Sequence, residues 1–297
     1  MKSPERPRYT RAETLLFVCT ILWAANYPVT KFGIGGLHLF VFNALRYVVA
    51  ALVLLAVFAL SRERWVSVAP DDWKRLLGAG FIANVLYQVA FIVGLNLTTA
   101  GNASVLLATA PLWTIVINAR MHGEKIPRLT WGGILVSLTG VVLIVVGSGK
   151  KFHLGGNEIV GDLLCLAAAF FWATNTNLQK PLLGRYAPMQ ITLVMVSVGA
   201  IGLSLVAAPW LMTMNWMPVD PSHYAAMVWS GLFSIAIGNI LWSIGVQRLG
   251  PGRTGSYGNL IPVMALAISY VWLREEFTAL QLTGAAVTVL GVWYARR

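Results

Sequence analysis

The chain has 297 residues, 57% of them hydrophobic and 11% charged, with a formal net charge of +11. A soluble domain carries about 25% charged residues, so this composition excludes an ordinary soluble protein and predicts one embedded in a lipid bilayer. The excess of Lys and Arg would suggest nucleic acid in a soluble protein, but here it falls mostly in the tail and at the ends of and joints between apolar runs, where it reports membrane orientation instead.

A basic tail, residues 1–12, leads into ten apolar runs, each near the length of about 20 helical residues that crosses a bilayer. In chain order they cover 13–32, 38–60, 74–95, 100–121, 128–148, 160–180, 188–211, 223–246, 253–273 and 279–295. The first run continues into nine others and has no small-residue cleavage site before a soluble domain, so it reads as a span and not as a removed signal peptide. The expected fold is all-α and polytopic, with ten transmembrane helices. Residues 13–148 form one set of five, 149–159 a linker, and 160–297 a second set of five.

With the N-terminus inside, seventeen of the 22 Lys and Arg residues fall in inner segments, including Arg62, Arg64, Lys74 and Arg75 after the second span and Arg120, Lys125 and Arg128 after the fourth. Only Lys31, Lys150, Lys151 and Arg274 fall outside. That bias predicts both termini in the cytoplasm. Cys19 and Cys165 lie within spans without metal-ligand spacing and say nothing about redox compartment.

The two sets of five repeat one another. A shift of 149 lays "LWAANYPVTK" (22–31) on "FWATNTNLQK" (171–180), matching Trp23 with Trp172, Asn26 with Asn175 and Lys31 with Lys180. A shift of 151 then matches Gly80 with Gly231, Pro111 with Pro262, Glu124 with Glu275, Gly133 with Gly284 and Gly140 with Gly291. Five is odd, so the second set must enter the membrane inverted. Inverted repeats are a common plan for secondary transporters, with the substrate site near the midplane between the halves.

The chain resembles the EamA type of the drug/metabolite transporter superfamily. The resemblance rests on the two motifs that open the halves, on "FNALRYVVAALVLL" in the second span, and on "HGEKIPRLTWGGILVSLTGVVLIV" and "LREEFTALQLTGAAVTVLGVWYA" at the ends. It implies a basket-like bundle around a central cavity, a monomer, and export of aromatic and other neutral amino acids across a bacterial inner membrane.

The candidate site follows from helical spacing. Cys19, Trp23, Asn26, Tyr27 and Thr30 share a face of the first span, and Trp172, Asn175, Thr176 and Gln179 repeat that stripe in the sixth. Asn84, Tyr87, Gln88 and Phe91 on the third span, and Gly238, Asn239 and Trp242 on the eighth, extend it; Trp113, Tyr257, Asn102, Ser256 and Asn259 are further candidates. Amides in a bilayer need partners or water, which a wet cavity supplies. Aromatic faces can stack on a flat side chain or hold an ammonium group, and neutral amides can bind both ends of a zwitterion. The competing reading makes the amides interhelical glue.

Pro111 and Pro262, inside the fourth and ninth spans, are expected to kink their helices, as fixed bends or as hinges. Arg46 is the one clear charge within a span, read either as a structural group or as a partner for a substrate carboxylate, with the structural role favoured. Gly133, Ser137 and Gly140, with Gly284, Thr288 and Gly291, make small-residue faces for packing the fifth and tenth spans together or for a dimer. Glu124 and Glu275 read as local caps.

"GPGRTG" (250–255) has the spacing of a dinucleotide fingerprint but joins two spans, so no cofactor is expected. The four histidines lack metal spacing, and no nucleophile and base pair suggests an enzyme. The expected partners are a small-molecule substrate and the lipid bilayer. A carrier of another metabolite or of a hydrophobic cation is the alternative. A cation/proton antiporter would want a membrane-embedded carboxylate, and none is visible.

Overall fold

The structure, a computed structural model, describes residues 11–61, 63–98, 106–123, 127–147, 157–216, 219–273 and 278–295. Most of the tail and of the linker, Asn102, Glu124 and Glu275 lie outside the described residues.

Among the described residues all regular structure is helical. Helix α1 is Arg11–Gly33 and α2 is Leu39–Leu60. Helix α3 starts at Pro70–Phe81, passes through a π-helical segment at Ile82–Leu86 and continues as Tyr87–Leu97. Helices α4 (Ala110–His122), α5 (Arg128–Gly147), α6 (Asn157–Leu183) and α7 (Pro188–Thr213) follow. Helix α8 runs Pro221–Trp229, then a π-helical Ser230–Ile237, then Gly238–Leu249. Helix α9 has two pieces, Pro251–Tyr257 and Leu260–Leu273, and α10 is Ala279–Ala295.

Local chemistry sets these boundaries. Proline opens α3, α7 and α8 in the first turn, where its missing N–H costs nothing. At α8 the Asp220 carboxylate also caps the helix by accepting from the Ser222 N–H at 2.8 Å. Gly123 ends α4 at φ +63° and Gly250 separates α8 from α9 at φ +81°, backbone conformations that strain any residue with a Cβ.

Seven helices are long and apolar enough to cross a membrane among the described residues, the longest window being Pro221–Leu249, and Ala279–Ala295 is apolar but shorter. The side chains of Leu52, Leu55, Ile201, Leu205 and Met212 project outward from α2 and α7. The protein is an integral, polytopic, all-helical membrane protein.

The expectation for the prolines is corrected. Pro111 sits in the first turn of α4, directly after turns at Ala108 and Thr109, and Pro262 sits in the first turn of the second piece of α9, after turns at Gly258 and Asn259. Neither interrupts a continuous helix. Each begins a new helical segment, the position that tolerates proline.

Helices pair across the two sets of five. Helix α1 packs on α8 and α9, and α6 packs on α3 and α4; α2 packs on α8, and α7 on α3. Helix α2 also pairs with α7, α4 with α9 and α5 with α10. Exchanging each helix with the one five places away turns the first six pairings into one another two by two and leaves α2–α7, α4–α9 and α5–α10 unchanged. The π segments obey the same exchange, since 82–86 shifted by 151 falls within 230–237.

The α5–α10 contact uses the small-residue faces. A Cβ on Gly140 would lie 2.6 Å from Gly284 O, and one on Gly284 would lie 2.7 Å from Gly140 O. Thr288 Oγ1 donates to Gly284 O at 2.8 Å, and Asn259 Nδ2 donates to Ser137 Oγ at 2.7 Å.

The connections are tied down across the halves as well. Gln190 on α7 donates to Val66 O at 2.7 Å and accepts from Val66 N at 3.2 Å, while Asp72 accepts from Tyr186 OH at 2.8 Å and from Arg185 at 2.9 Å. At the α1–α2 connection, His223 stacks on Phe32 at 4.6 Å and His38 on Trp210 at 4.7 Å.

Candidate functional site

Three tryptophans from three helices meet at the centre. Trp23 of α1 lies 5.2 Å from Trp172 of α6, edge to face, and 5.1 Å from Trp242 of α8; Trp172 and Trp242 are 5.4 Å apart. Tyr87 of α3 adds a fourth ring, 5.3 Å from Trp172 and stacked on Phe91 at 5.9 Å. Ring pairs at these separations attract by about 0.5–1.5 kcal/mol beyond the area they bury.

The indole N–H groups have partners. Trp23 Nε1 donates to Ser234 O at 2.9 Å, a carbonyl of the π segment in α8, and Trp242 Nε1 donates to Thr176 Oγ1 at 3.3 Å. Thr176 passes its own proton back to Trp172 O at 3.0 Å. Gly238 lets Trp23 approach α8, since a Cβ there would lie 3.2 Å from the indole Cδ1 and closer still to Nε1. Cys19 donates to Gly238 O at 3.3 Å beside it.

A second group surrounds Arg46, whose side chain is buried. Arg46 donates from Nε to Asn43 Oδ1 at 2.9 Å, from Nη1 to Ser230 Oγ at 3.2 Å and from Nη2 to Gln88 Oε1 at 2.9 Å. A guanidinium has no acceptor, so it fixes the direction of every bond beyond it. Gln88 must turn its oxygen to Arg46 and its nitrogen to Tyr47 OH, at 2.9 Å. Tyr47 then donates to Asn84 Oδ1 at 3.1 Å, and Asn84 donates to Met195 O at 2.9 Å. On the other branch Ser230 donates to Asn26 Oδ1 at 2.6 Å, which leaves Asn26 its amide nitrogen as a donor.

The third group lines a small polar gap between the halves, bounded by Ala83, Asn84, Asn175, Gln179, Thr192, Met195, Val196, Asn239 and Ser243. Gln179 donates to Asn175 Oδ1 at 3.0 Å and accepts from Ser243 Oγ at 2.9 Å, and Ser243 contacts Thr192 Oγ1 at 3.2 Å. Asn239 commits its nitrogen to Ile235 O at 2.9 Å. Asn175 therefore keeps a donor and Asn239 an acceptor, the pair that a zwitterion's carboxylate and ammonium require. Every lining side chain is neutral. The gap has room for little more than one water. This gap is narrow, and the faces of the amide-bearing helices approach one another closely around it.

Trp23, Tyr87, Trp172 and Trp242 share one cluster, while Asn84, Asn175, Gln179 and Asn239 share the gap. Asn26 and Gln88 belong to the Arg46 network, with Asn84 common to both groups. Trp113 stands apart with its ring against Phe170 at 5.7 Å, and Tyr257 is buried in the core formed by Leu16, Cys19 and Trp242. The side chain of Tyr27 lies outside the described residues. Sequence reading missed Asn43, Tyr47, Thr192, Ser230 and Ser243. Asn43 and Tyr47 flank Arg46 within the motif "FNALRY" and could have been found there; lone hydroxyls in apolar helices give no such signal.

Known proteins resemble this chain over most of its length. The model of the EamA-like transporter family matches twice, at residues 10–146 and 159–297. A relative from Streptantibioticus cattleyicolor named "Probable terminal-alkyne amino-acid exporter" is 27% identical over 98% of this chain and 95% of its own. One from Salmonella typhimurium, "Probable amino-acid metabolite efflux pump", is 23% identical over 94% of this chain and 92% of its own. A crystal structure superposes with a TM-score of 0.78 at 21% identity over 96% of both chains, a likeness of fold. With the family model matched across nearly the whole length of an all-helical membrane protein, the chain belongs to the EamA-like transporter family and is a transporter, not an enzyme.

Proposed function

We propose that this transporter exports neutral amino acids and related small metabolites, aromatic ones among them, by alternating access. The observation that carries this reading is three tryptophans in mutual contact, with Tyr87 against one of them, and a gap lined only by neutral side chains, with an amide donor from Asn175 and an acceptor from Asn239. The exporter names of two relatives support the same cargo class.

Two inverted five-helix repeats, residues 13–148 and 160–297, frame the site in this reading. The double family match, the helix pairings that map onto one another and the matched π segments support it. The positive charges favour both termini on the cytoplasmic side of a bacterial inner membrane, and the α5–α10 faces, spent on each other, favour a monomer.

In the proposed cycle a substrate side chain inserts between the tryptophans while its charged ends exchange hydrogen bonds with the amides. Helices α3 and α8 bend at their π segments, and the segment starts at Pro111 and Pro262 act as hinges. The double variant Asn26→Ala, Asn175→Ala is expected to lower amino-acid uptake at least about tenfold in correctly inserted protein, the loss of one or two hydrogen bonds to a charged group. Unchanged uptake would remove these amides from the site.

A further inference from the structure

Arg46 lies in a part of the bundle that is rich in donors and poor in acceptors. The residue is only 4% exposed, and among the described residues no carboxylate approaches it. Its hydrogen-bonding partners are all neutral, the faces of Phe42 and Tyr47 lie at 5.8 and 5.9 Å, and Tyr87 also acts on it electrostatically. A guanidinium has five N–H groups, of which three are engaged here. One remains on each terminal nitrogen, and paired terminal N–H groups grip a carboxylate in two parallel bonds.

Two more unspent polar groups flank the α1–α2 connection, one of them on a residue bonded to Arg46. Because Asn43 must turn its oxygen to Arg46, its Nδ2 is left a donor, and that atom is buried without a partner in a residue 1% exposed. Thr30 Oγ1 is likewise buried without a partner. Thr30 sits one turn before the end of α1 and Asn43 one turn into α2, so both flank the α1–α2 connection. Unpaired buried donors are costly, and the Asn43 amide and the cation bonded to it share one remedy, an anion.

We propose that Arg46 and Asn43 form a carboxylate-recognition site on the substrate path, reached from the tryptophan cluster through Asn26 and Ser230. This rests on the amino-acid reading above and deepens it: Arg46 selects cargo that bears a carboxylate over amines and amides of the same shape. Asn26 marks the route, lying one turn beyond Trp23 on α1 and bonded through Ser230 to Arg46.

The test is equilibrium binding of phenylalanine, phenylalaninamide and 3-phenylpropanoate to the purified full-length protein and to Asn43→Asp, Asn43→Ala and Arg46→Lys. Asn43→Asp supplies Arg46 with a resident carboxylate. It is expected to raise the melting temperature while abolishing binding of both carboxylates and leaving the amide unaffected. The wild type is expected to prefer phenylalanine to its amide by on the order of tenfold or more. Asn43→Ala and Arg46→Lys should shrink that ratio toward unity, since lysine keeps the charge without the fork. Binding of 3-phenylpropanoate that depends on Arg46 and Asn43, with no binding of phenylalanine, would sink the amino-acid reading and leave the carboxylate site standing. Carboxylate binding that ignores all three substitutions, or no carboxylate binding by the wild type, overturns the proposal.

Discussion

Gly140→Leu is expected to remove most of the folded protein. The α5–α10 contact is backbone on backbone: a Cβ on Gly140 meets Gly284 O at 2.6 Å as well as the backbone of Thr288, and Gly284 and Gly291 face Gly140 and Gly133 in the same way. A flexible side chain could move aside, but two hydrogen-bonded helices cannot. Overpacking a tight core costs about 1–3 kcal/mol even where side chains absorb it, against a total stability of about 5–15 kcal/mol for a typical domain. Forcing these helices apart also strips the bond from Thr288 Oγ1 on α10 to Ser137 O on α5, at 3.5 Å. Size-exclusion chromatography of detergent extracts should show Gly140→Leu as aggregate. Gly132→Leu, eight residues earlier on an exposed face with nothing within 4 Å of its would-be Cβ, should elute like the wild type. A monodisperse, wild-type-like Gly140→Leu protein would mean that these helices do not pack as described.

Trp172→Ala is expected to lower uptake by more than about tenfold, because three aromatic contacts of about 0.5–1.5 kcal/mol each converge on that ring. It touches Trp23, Trp242 and Tyr87, so it links α1, α8 and α3. Trp172→Phe keeps a face for stacking and should retain part of the activity. Phe17→Ala, on the outward face of α1, should change uptake little. Melting curves run beside the uptake assays separate the two roles of the ring. If Trp172→Ala melts lower but transports normally, the cluster is packing and not a binding surface.

The sequence carries much of this arrangement because membrane helices are written in long apolar runs and because the repeat doubles each signal. Trp23, Trp172 and Trp242 were legible as inward-facing since they lie well inside their spans, and the structure brings them together. Helical spacing assigns a residue to a face of its own helix, but not to a neighbour. For that reason spacing offered Trp113 as a candidate without naming its neighbour, which the structure shows to be Phe170. The π segments were invisible, since one added residue shifts register without leaving a compositional mark, yet Ser234 O within one of them holds Trp23 in place. The breaks before Pro111 and Pro262 were misread as kinks because a proline alone does not tell a bent helix from the start of a new one. Arg46 was legible as a buried charge, but its partners come from α2, α3 and α8, and only their assembly reveals the direction that the cation imposes on the bonds reaching Asn26 and Asn84.

The central claim, that the aromatic and amide site carries neutral amino acids, is tested most directly by uptake of labelled phenylalanine, threonine and tetraphenylphosphonium into proteoliposomes with no imposed ion gradient. The predicted result is saturable uptake of phenylalanine and threonine, with unlabelled phenylalanine competing for both, and no uptake of the cation. Uptake of tetraphenylphosphonium alone would contradict the account and make the tryptophan cluster the binding surface of a hydrophobic-cation transporter.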